Sequence, residues 1–579
     1  MSSASIQLHG GVPTLFIDGE PQVEMAYMTY FDKDGMFEDF YRAGYRIFCL
    51  CVYFGDQSIN PANWYKPFAP GIFGTKGKAD FSHLERIVAN LLRQAPDAKI
   101  FFRVNTSMPK WWEDENPSEL NDEGLDGQPP RSNPASRKYR EQTKKMLKEF
   151  LEYLENASFC DHVFGLHLAG GRTEEWGSFD SHGNIGEAAR QEFIRRCPGK
   201  SFESPEFYRF LHTVAGENIC ELAKFTKQTL RHQWVLGTFF GYLFETPGWH
   251  WGNHAIQMIL NSPDIDFICS PCSYIYRKEP GYNWPCMVPF ESFRRHGKLY
   301  FFEYDTRTHL SRYLPDCHPE ICQDDRYRAP IWLGPSTEEE TIEHLRMNFV
   351  QQTAMGCASW WFDLMGKWYD SPGLMAEMAR LKKLAEPFLR DPDRTSVAEC
   401  AAYMDECASV FVEDGKRLQC TRHGRTAIAQ SGVPADFYEI HDFADTVGRY
   451  RCVFFFVTAR TPALDEAEAY CRENRIPFME FDGITLVTPS DVRDFCVAAG
   501  AHCYCSDLDS GVWCGHNLAA VVALNEGIHT LRLPEKRKMT PLFAEGAPFV
   551  SDRIELNLRR GQVAAFRLDM LNEPSGALP

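Results

Sequence analysis

The sequence predicts an α/β fold, a (β/α)8 TIM barrel followed by two smaller domains. Eight apolar runs precede residue 370, and helix-like segments lie between them. Near-continuous apolar character is typical of parallel strands that are covered on the outside. Eight alternations of strand and helix are the count of this barrel. The predicted strands are 23–30, 45–54, 98–105, 163–171, 234–244, 265–274, 298–306 and 356–364.

Helix-like segments between these runs support the same fold, and three clear examples are 136–156, 206–230 and 337–355. An open, doubly wound sheet is the alternative architecture for alternating strands and helices. It is disfavoured because no G-x-G-x-x-G follows the first strand and because the alternation repeats eight times. The barrel is therefore predicted for residues 1–392.

The pattern changes after DPDRTS (391–396), which predicts a linker. Residues 393–515 contain strand, helix and strand again, and SDVRDFCVAAG predicts a further helix with Ser490 as its N-cap. This order predicts a flavodoxin-like α/β domain, and the lack of a phosphate-binding glycine loop argues against a nucleotide ligand. Residues 516–579 contain short strands separated by turns, which predict a small antiparallel β domain, a β-sandwich.

Composition excludes several classes of partner. The 579 residues carry a formal net charge of −18, so neither nucleic acid nor an anionic membrane is expected to bind. No stretch has the length of a membrane span and no secretory signal is visible, which favours a cytoplasmic protein. The 20 cysteines are scattered, as expected for buried thiols in a reducing compartment.

Two cysteine pairs, Cys269 with Cys272 and Cys317 with Cys322, are spaced closely enough to be weak metal-ligand candidates. Neither pair has a second ligand pair nearby in the sequence, so packing in the core is the simpler interpretation. We therefore predict that the activity requires no metal and no cofactor, and the sequence leaves open whether any of the cysteines binds a metal.

Polar side chains follow most of the predicted barrel strands, at the end where the active site of such a barrel lies. They include carboxylates, amides, guanidinium groups and aromatic rings, the mixture that a sugar site needs. The candidates are Arg103 and Asn105 after the third strand; Arg172, Glu174 and Glu175 after the fourth; Tyr274 and Arg277 after the sixth; Glu303, Asp305 and Arg307 after the seventh; and Trp360, Trp361 and Asp363 after the eighth.

The carboxylates of this set carry the chemistry. Glycoside hydrolysis requires one carboxylate to attack or to activate water, and another to protonate the leaving oxygen. Glu174 and Glu175 could instead be solvated loop charges, but they follow a barrel strand and Glu303 ends another. A carboxylate at Glu303, next to apolar residues, is costly to bury unless it is paired or functional.

The other candidates have structural alternatives of equal weight. Arg103 and Arg307 could serve only as salt-bridge partners. Trp360 and Trp361 are adjacent on a strand and therefore point to opposite sides, and the sequence does not say which of them faces the barrel. Asp305 and Asp363 are interpreted as loop residues rather than catalysts.

The segment Glu-Glu-Trp-Gly (174–177) resembles the Asn-Glu-Tyr-Gly motif of glycoside hydrolase family 42, the β-galactosidases of a large clan of retaining glycosidases. The resemblance implies that Glu175 is the acid/base and that Glu303 is the nucleophile. Glu174 replaces the asparagine of the family and is the fallback acid/base, so a divergent relative is expected. Trp361 corresponds to the aromatic residue that ends strand 8. The order of the three domains is also that of the family.

These observations predict a retaining exo-β-glycosidase of carbohydrate metabolism, with β-galactosidase as the favoured activity and a small oligosaccharide or glycoside as substrate. β-Mannosidase is the alternative within the clan, and the arginines leave room for β-glucuronidase. A non-catalytic carbohydrate-binding barrel is the rival class, disfavoured because binding alone needs neither an acid nor a nucleophile. The resemblance also implies a homotrimer built through the flavodoxin-like domain. Substrate contacts are expected from Arg103, Asn105, Tyr274, Arg307 and Trp361.

Overall fold

Eight parallel strands form a closed barrel, which confirms the predicted fold class. Every barrel strand lies within one of the eight apolar runs of the sequence. The computed structural model describes residues 3–56, 67–123, 130–171, 174–177, 185–245, 253–273, 280–283, 285–323, 325–408, 418–507 and 509–571. The strands are β1 (Ala4–His9), β2 (Val12–Ile17) and β3 (Glu20–Pro21) before the barrel, and β4 (Met25–Thr29), β5 (Ile47–Tyr53), β6 (Lys99–Asn105), β7 (Val163–Ala169), β8 (Val235–Phe239), β9 (Phe267–Pro271), β10 (Leu299–Tyr304) and β11 (Ala358–Asp363) within it.

An antiparallel sheet made of β1, β2 and β3 precedes the barrel, and the apolar pattern did not predict it. The amide of Ala4 donates to the carbonyl of Gln233, which stands just before β8. The hairpin therefore lies at the N-terminal end of the barrel strands, away from the end where the candidate residues are expected.

Helices follow the strands and cover the outside of the barrel. The longer ones begin at side-chain caps: Ser136 Oγ accepts from the amide of Tyr139, and Thr337 Oγ1 accepts from that of Glu340. In the described part of the chain, no helix is both long enough and apolar enough to cross a bilayer. The helices are α1 (Phe37–Arg42), α2 (Ser82–Gln94), α3 (Lys110–Glu115), α4 (Arg137–Asn156), α5 (Gly186–Arg196), α6 (Pro205–Thr229), α7 (Ile256–Leu260), α8 (Phe290–Arg295), α9 (Leu314–Cys317), α10 (Glu338–Met355) and α11 (Pro372–Leu389).

Side chains along the barrel strands alternate between the interior and the helix layer. The register pairs Glu303 with Trp360 and Arg103 with His167, and all four side chains face the interior. His167 Nε2 lies 2.9 Å from Cys269 Sγ, and its ring packs against Trp360. His167 is thus a hydrogen-bonded core residue, as its place on an apolar strand predicts.

The second unit contains a four-stranded parallel sheet. Its order is the doubly wound order of a flavodoxin-like fold, as predicted. The last helix begins at Pro489, because proline favours the first helical position. Its N-cap is Thr488, whose Oγ1 accepts from the amide of Asp491. The expected N-cap at Ser490 is therefore corrected. In sheet order the strands are β13 (Ala435–Glu439), β12 (Cys400–Met404), β14 (Cys452–Phe456) and β15 (Phe478–Phe481), and the helices are α12 (Gly424–Ala429), α13 (Phe443–Thr446), α14 (Pro462–Asn474) and α15 (Pro489–Ala498).

The third unit is one antiparallel sheet of five strands in the described residues, rather than the expected β-sandwich. Helix α10 packs against this sheet and Glu343 of α10 accepts from the amide of Val563, so the barrel takes the place of a second sheet. The sheet also begins at Ser510, before the expected boundary at residue 516, because the first strand pairs with the second. The strands are β16 (Ser510–Gly515), β17 (Leu518–Ala523), β18 (Gly527–Pro541), β19 (Phe549–Leu558) and β20 (Val563–Asp569).

Candidate active site

One guanidinium group joins two carboxylates at the C-terminal mouth of the barrel. Arg103 on β6 donates from Nη1 to Oε2 of Glu303 on β10 at 2.8 Å. Its Nε lies 2.8 Å from Oε2 of Glu174, which follows β7, and this contact is an ion pair without the alignment of a hydrogen bond. The three side chains are buried. They come from the third, fourth and seventh barrel strands, so closure of the barrel brings them together.

The turn after β7 has an unusual backbone. Glu174 and Trp176 have φ angles of 67° and 61°, a region that non-glycine residues rarely adopt. Such conformations persist only where the surroundings hold them, and they cluster at functional sites. Here the Tyr30 hydroxyl donates to Glu174 Oε2 at 3.0 Å, and Asn105 Nδ2 donates to Oε1 at 3.4 Å. Together with Arg103, these groups hold the Glu174 carboxylate inside the barrel.

Trp176 anchors the other end of the same turn. Its indole Nε1 donates to Thr238 Oγ1 at 2.9 Å, and its amide donates to the carbonyl of Gly170 at 2.8 Å. A Cβ atom at Gly170 would lie 2.7 Å from the Trp176 ring, so glycine is needed for this approach. Glu175 lies between the two strained residues and is 8% exposed, whereas Glu174 is 0% exposed. Of the two carboxylates, Glu175 is the one nearer to solvent.

Burial dominates the electrostatics of this mouth. It raises the pKa of Glu174, while the charge of Arg103 and the hydrogen bonds from Tyr30 and Asn105 act in the opposite direction. Burial also raises the pKa of the Cys269 thiol in the barrel interior, and the charges of Glu303 and Glu175 raise it further. The charges of Glu303 and Glu175 thus both affect the pKa of the Cys269 thiol.

Aromatic side chains surround the guanidinium group. The Tyr30 ring centroid lies 4.9 Å from that of Phe68 and 5.0 Å from that of Phe362. Arg103 Cζ lies 5.9 Å from the Tyr30 centroid and 5.5 Å from that of Phe239. The sequence reasoning missed these rings, although Tyr30 follows the first strand at the same kind of position as the other candidates.

The aromatic residue of β11 at this site is Phe362, and the expectation for Trp361 is corrected. Trp360 is the register partner of Glu303, and both side chains point into the barrel. Because side chains alternate along a strand, the next residue, Trp361, points to the opposite side. Its ring packs 5.2 Å from that of Tyr304, whose hydroxyl donates to a carbonyl of α10. Trp361 thus lies between the barrel and its helix layer, away from the Arg103 cluster.

Another candidate, Arg307, holds the loop after β10. Arg307 donates from Nη1 to the carbonyl of Asp305 at 2.7 Å and forms an ion pair with its carboxylate. The Arg307 guanidinium also lies between the rings of Trp332 and Trp368, at 5.4 and 5.6 Å from their centroids. These contacts give Arg307 a structural role in the loop after β10. Tyr274, the other expected substrate contact, lies outside the described residues, as do Arg172 and Arg277.

Within the described ranges, one group of side chains has metal-ligand geometry: Cys400, Cys452 and Cys496 of the second unit. The pairs proposed from sequence spacing are not part of such a group. Cys269 contacts His167 in the barrel interior, and Cys317 Sγ donates to the carbonyl of Tyr313.

Comparisons with known proteins identify related structures but no related sequences. No protein-family model matches the chain, and no curated protein matches it. Among solved structures, a β-galactosidase from the psychrophilic Marinomonas ef1 is 12% identical with a TM-score of 0.61, covering 94% of this chain and 100% of its own. Gan42B, a family 42 β-galactosidase from G. stearothermophilus, is 11% identical with a TM-score of 0.58, covering 94% and 98%.

A family 42 exo-carrageenase from Bacteroides ovatus is similar over the same architecture. It is 12% identical with a TM-score of 0.59, and the alignment covers 98% of this chain and 84% of the carrageenase chain. Likeness at this level of identity establishes the fold. The chain therefore has the fold of the glycoside hydrolase family 42 structures, over 94–98% of its length.

Proposed function

We propose that this protein is a retaining exo-β-glycosidase that hydrolyses terminal β-linked sugars, with β-galactosides as its first substrates. The observation that carries the proposal is the cluster at the barrel mouth. Arg103 binds Glu174 and Glu303, and Glu175 stands next to Glu174 in a strained turn. A retaining glycosidase needs two carboxyl groups about 5–5.5 Å apart on either side of the scissile bond. Side chains from the fourth and seventh strands can face one sugar in this way.

Glu303 is assigned as the nucleophile. The guanidinium of Arg103 holds one of its oxygens and favours the ionised form, which a nucleophile requires. In the first step, Glu303 forms a bond to the anomeric carbon while the bond to the leaving oxygen breaks. In the second step, water replaces the Glu303 ester at the same carbon, and the configuration of the sugar is retained.

Glu175 is assigned as the acid/base. It gives its proton to the leaving oxygen in the first step and takes one from the attacking water in the second. This cycle requires exchange with solvent, and Glu175 is the less buried of the two adjacent carboxylates. Glu174 has no exposed surface and is bound by Arg103, Tyr30 and Asn105, so its proposed role is to position Arg103.

The solved structures with this fold include enzymes named as β-galactosidases and one named as an exo-carrageenase. Galactose-based substrates are thus the first to test, with β-mannosides and β-glucuronides as alternatives. A panel of nitrophenyl glycosides should show fastest release from the β-galactoside, unaffected by EDTA. Faster release from a mannoside or glucuronide would reassign the sugar. Sugar binding without release from any substrate would identify a binding barrel instead.

Substitution at the turn separates the two adjacent carboxylates. Glu175→Ala should slow hydrolysis of substrates with poor leaving groups by about 10²–10⁴-fold and spare the first step for good ones. Azide should restore turnover of this variant with retained configuration. Glu174→Ala is the matched control, and azide should not rescue it. Rescue of Glu174→Ala by azide, with full activity in Glu175→Ala, would move the acid/base role to Glu174.

We also propose that the protein is a homotrimer formed through the second unit. Large apolar side chains are exposed on this unit: Tyr470, Ile484, Leu486 and Val497, of which Ile484 and Leu486 are each 78% exposed. Exposed apolar surface of this kind often marks an interaction site. Light scattering at micromolar concentration should give the mass of three chains, and Ile484→Asp with Leu486→Asp should reduce it. A monomer mass for the unmodified protein would contradict the proposal.

A further inference from the structure

Three buried thiols meet inside the second unit, far along the chain from the barrel mouth. Cys400 is the first residue of β12, Cys452 is the first residue of β14, and Cys496 lies on α15. Their side chains are 0%, 0% and 1% exposed. Cys400 Sγ lies 3.5 Å from both other sulfurs, which are 4.0 Å from each other. The three sulfur atoms thus form a nearly equilateral triangle.

This triangle has the dimensions of a three-coordinate metal site. With sides of 3.5, 3.5 and 4.0 Å, a central point lies about 2.1 Å from every sulfur. A metal–thiolate bond is about 2.3 Å long, so an ion slightly out of the sulfur plane could bond to all three. The side chains would not have to change rotamer to receive it.

The sheet holds two of the ligands in place. Cys400 and Cys452 are register partners on neighbouring parallel strands, so their side chains project from the same face of the sheet. Helix α15 covers that face and supplies Cys496. Two ligands fixed by a hydrogen-bonded ladder and a third fixed by a packed helix form a site that exists before the ion binds.

The number and type of ligands select the ion. Among the residues that the structure describes, the group contains three sulfurs and no fourth histidine, cysteine or carboxylate. Structural zinc sites take four ligands, whereas soft thiolates alone suit Cu(I). A trigonal set of three sulfurs therefore favours Cu(I) over Zn²⁺.

The surroundings of the three thiols are apolar. The cysteines share an apolar core with Ala402, Phe454 and Val492, where an uncompensated charge is costly. In this core the positive charge of Cu(I) offsets one of the three thiolate charges.

From this geometry we infer that Cys400, Cys452 and Cys496 bind one Cu(I) ion in trigonal coordination and that the ion stabilises the second unit. Binding forms three copper–sulfur bonds, breaks the three S–H bonds and releases their three protons to solvent. Copper stays in the same oxidation state, and no oxidant or reductant is consumed. An ion that binds the folded state alone raises stability in proportion to the logarithm of its concentration over Kd.

The test is a competition experiment on the full chain without oxygen. The protein is titrated with the bicinchoninate complex of Cu(I), and the copper retained per chain is measured after removal of the chelator. Cys400→Ala and Cys496→Ala should each retain one ion fewer than the unmodified protein. Cys471→Ala is the matched control, because Cys471 is equally buried in the same unit but lies outside the triangle. This control should retain as much copper as the unmodified protein.

A second measurement does not depend on how well the variants fold. X-ray absorption of the copper-loaded, unmodified protein should show three sulfur neighbours at about 2.3 Å, and copper should raise the Tm of the same protein. Equal retention by all variants would overturn the inference. A two-sulfur copper signature, or loss of all copper to the chelator, would also overturn it and would leave the three thiols as core packing.

Discussion

Two buried ion clusters near the C-terminal ends of the barrel strands differ in which charge is in excess. The mouth cluster consists of Arg103, Glu174 and Glu303, with two carboxylates on one guanidinium. The junction cluster consists of Glu245, Arg422 and Arg425, with one carboxylate beside two guanidinium groups. The first is made by barrel strands and their loops. The second joins a barrel loop to the second unit.

The junction cluster has the features of a structural contact. Glu245 and Arg425 have no exposed surface, and Glu245 Oε2 also accepts from Ser273 Oγ at 3.0 Å. Arg422 is 32% exposed and its Nε lies 3.9 Å from the carboxylate, so water shares its excess charge. The buried Arg425 guanidinium therefore pairs with Glu245 of the barrel, and the Arg422 guanidinium is partly hydrated.

The mouth cluster places two buried carboxylates, those of Glu174 and Glu303, on the one guanidinium of Arg103. Burial of a surplus charge costs stability, and folding alone does not require it. The comparison teaches that two buried carboxylates on one guanidinium are a better indicator of chemistry than burial or charge alone. Substitutions in the mouth cluster should therefore lower activity more than stability, and substitutions in the junction cluster should lower stability more than activity.

The largest effect is expected from Glu303→Gln. Loss of the nucleophile should lower kcat by about 10⁴-fold or more, because no covalent intermediate can form. Stability should change by no more than about 1 kcal/mol, since Arg103 keeps Glu174 as a partner. Steady-state kinetics and urea denaturation of the same sample measure both quantities. An active variant would require the barrel site to be reassigned.

Glu245→Ala should have the reverse profile. Removal of one partner leaves the Arg425 guanidinium buried and uncompensated, which should lower the free energy of unfolding by about 3–5 kcal/mol. Arg422→Ala is the control and should cost about 0–1 kcal/mol, because this side chain is partly exposed. Equal losses from both variants would show that the junction cluster is not organised around Arg425.

Glu174→Gln tests the burial cost within the mouth cluster through its pH dependence. Burial raises the pKa of Glu174 above 4.5, so the folded chain holds this proton more tightly than the unfolded chain. That contribution to stability is complete below pH 4.5 and is lost as pH rises through the raised pKa. The glutamine variant escapes the loss, and its stability relative to the unmodified protein should increase with pH. Urea denaturation from pH 4 to 8 measures it, with the exposed Glu149→Gln as a control.

The smallest effect is expected from Trp361→Phe, which tests which aromatic residue of β11 lies at the mouth. Trp361 packs against the helix layer, so the variant should lose about 1 kcal/mol of stability and keep its KM. Phe362→Leu, on the inward parity next to Tyr30, should raise KM instead. A raised KM in Trp361→Phe with an unchanged KM in Phe362→Leu would restore the original assignment of the sugar contact.

Local pattern was enough to predict the barrel. Each strand is a near-continuous apolar run and each long helix has its own cap, so these elements are encoded by neighbours in the sequence. The rule that active sites lie at the C-terminal ends of barrel strands then made Arg103, Glu174 and Glu303 candidates for the same mouth. The five-stranded form of the last sheet was not predictable in this way, because the element that covers it is α10, more than a hundred residues earlier.

The sequence by itself predicted the barrel strands and the polar residues at their C-terminal ends, among them Arg103, Glu174 and Glu303, since periodicity and spacing are local properties. Tertiary structure alone decided which partner each charge takes and which tryptophan faces inward. It also brought Cys400, Cys452 and Cys496 into one triangle. These outcomes depend on strand register, on the left-handed turn at Glu174 and on helix packing. A shift of one residue in the register of a strand turns every side chain to the opposite face, and the local sequence does not show which register the strand adopts.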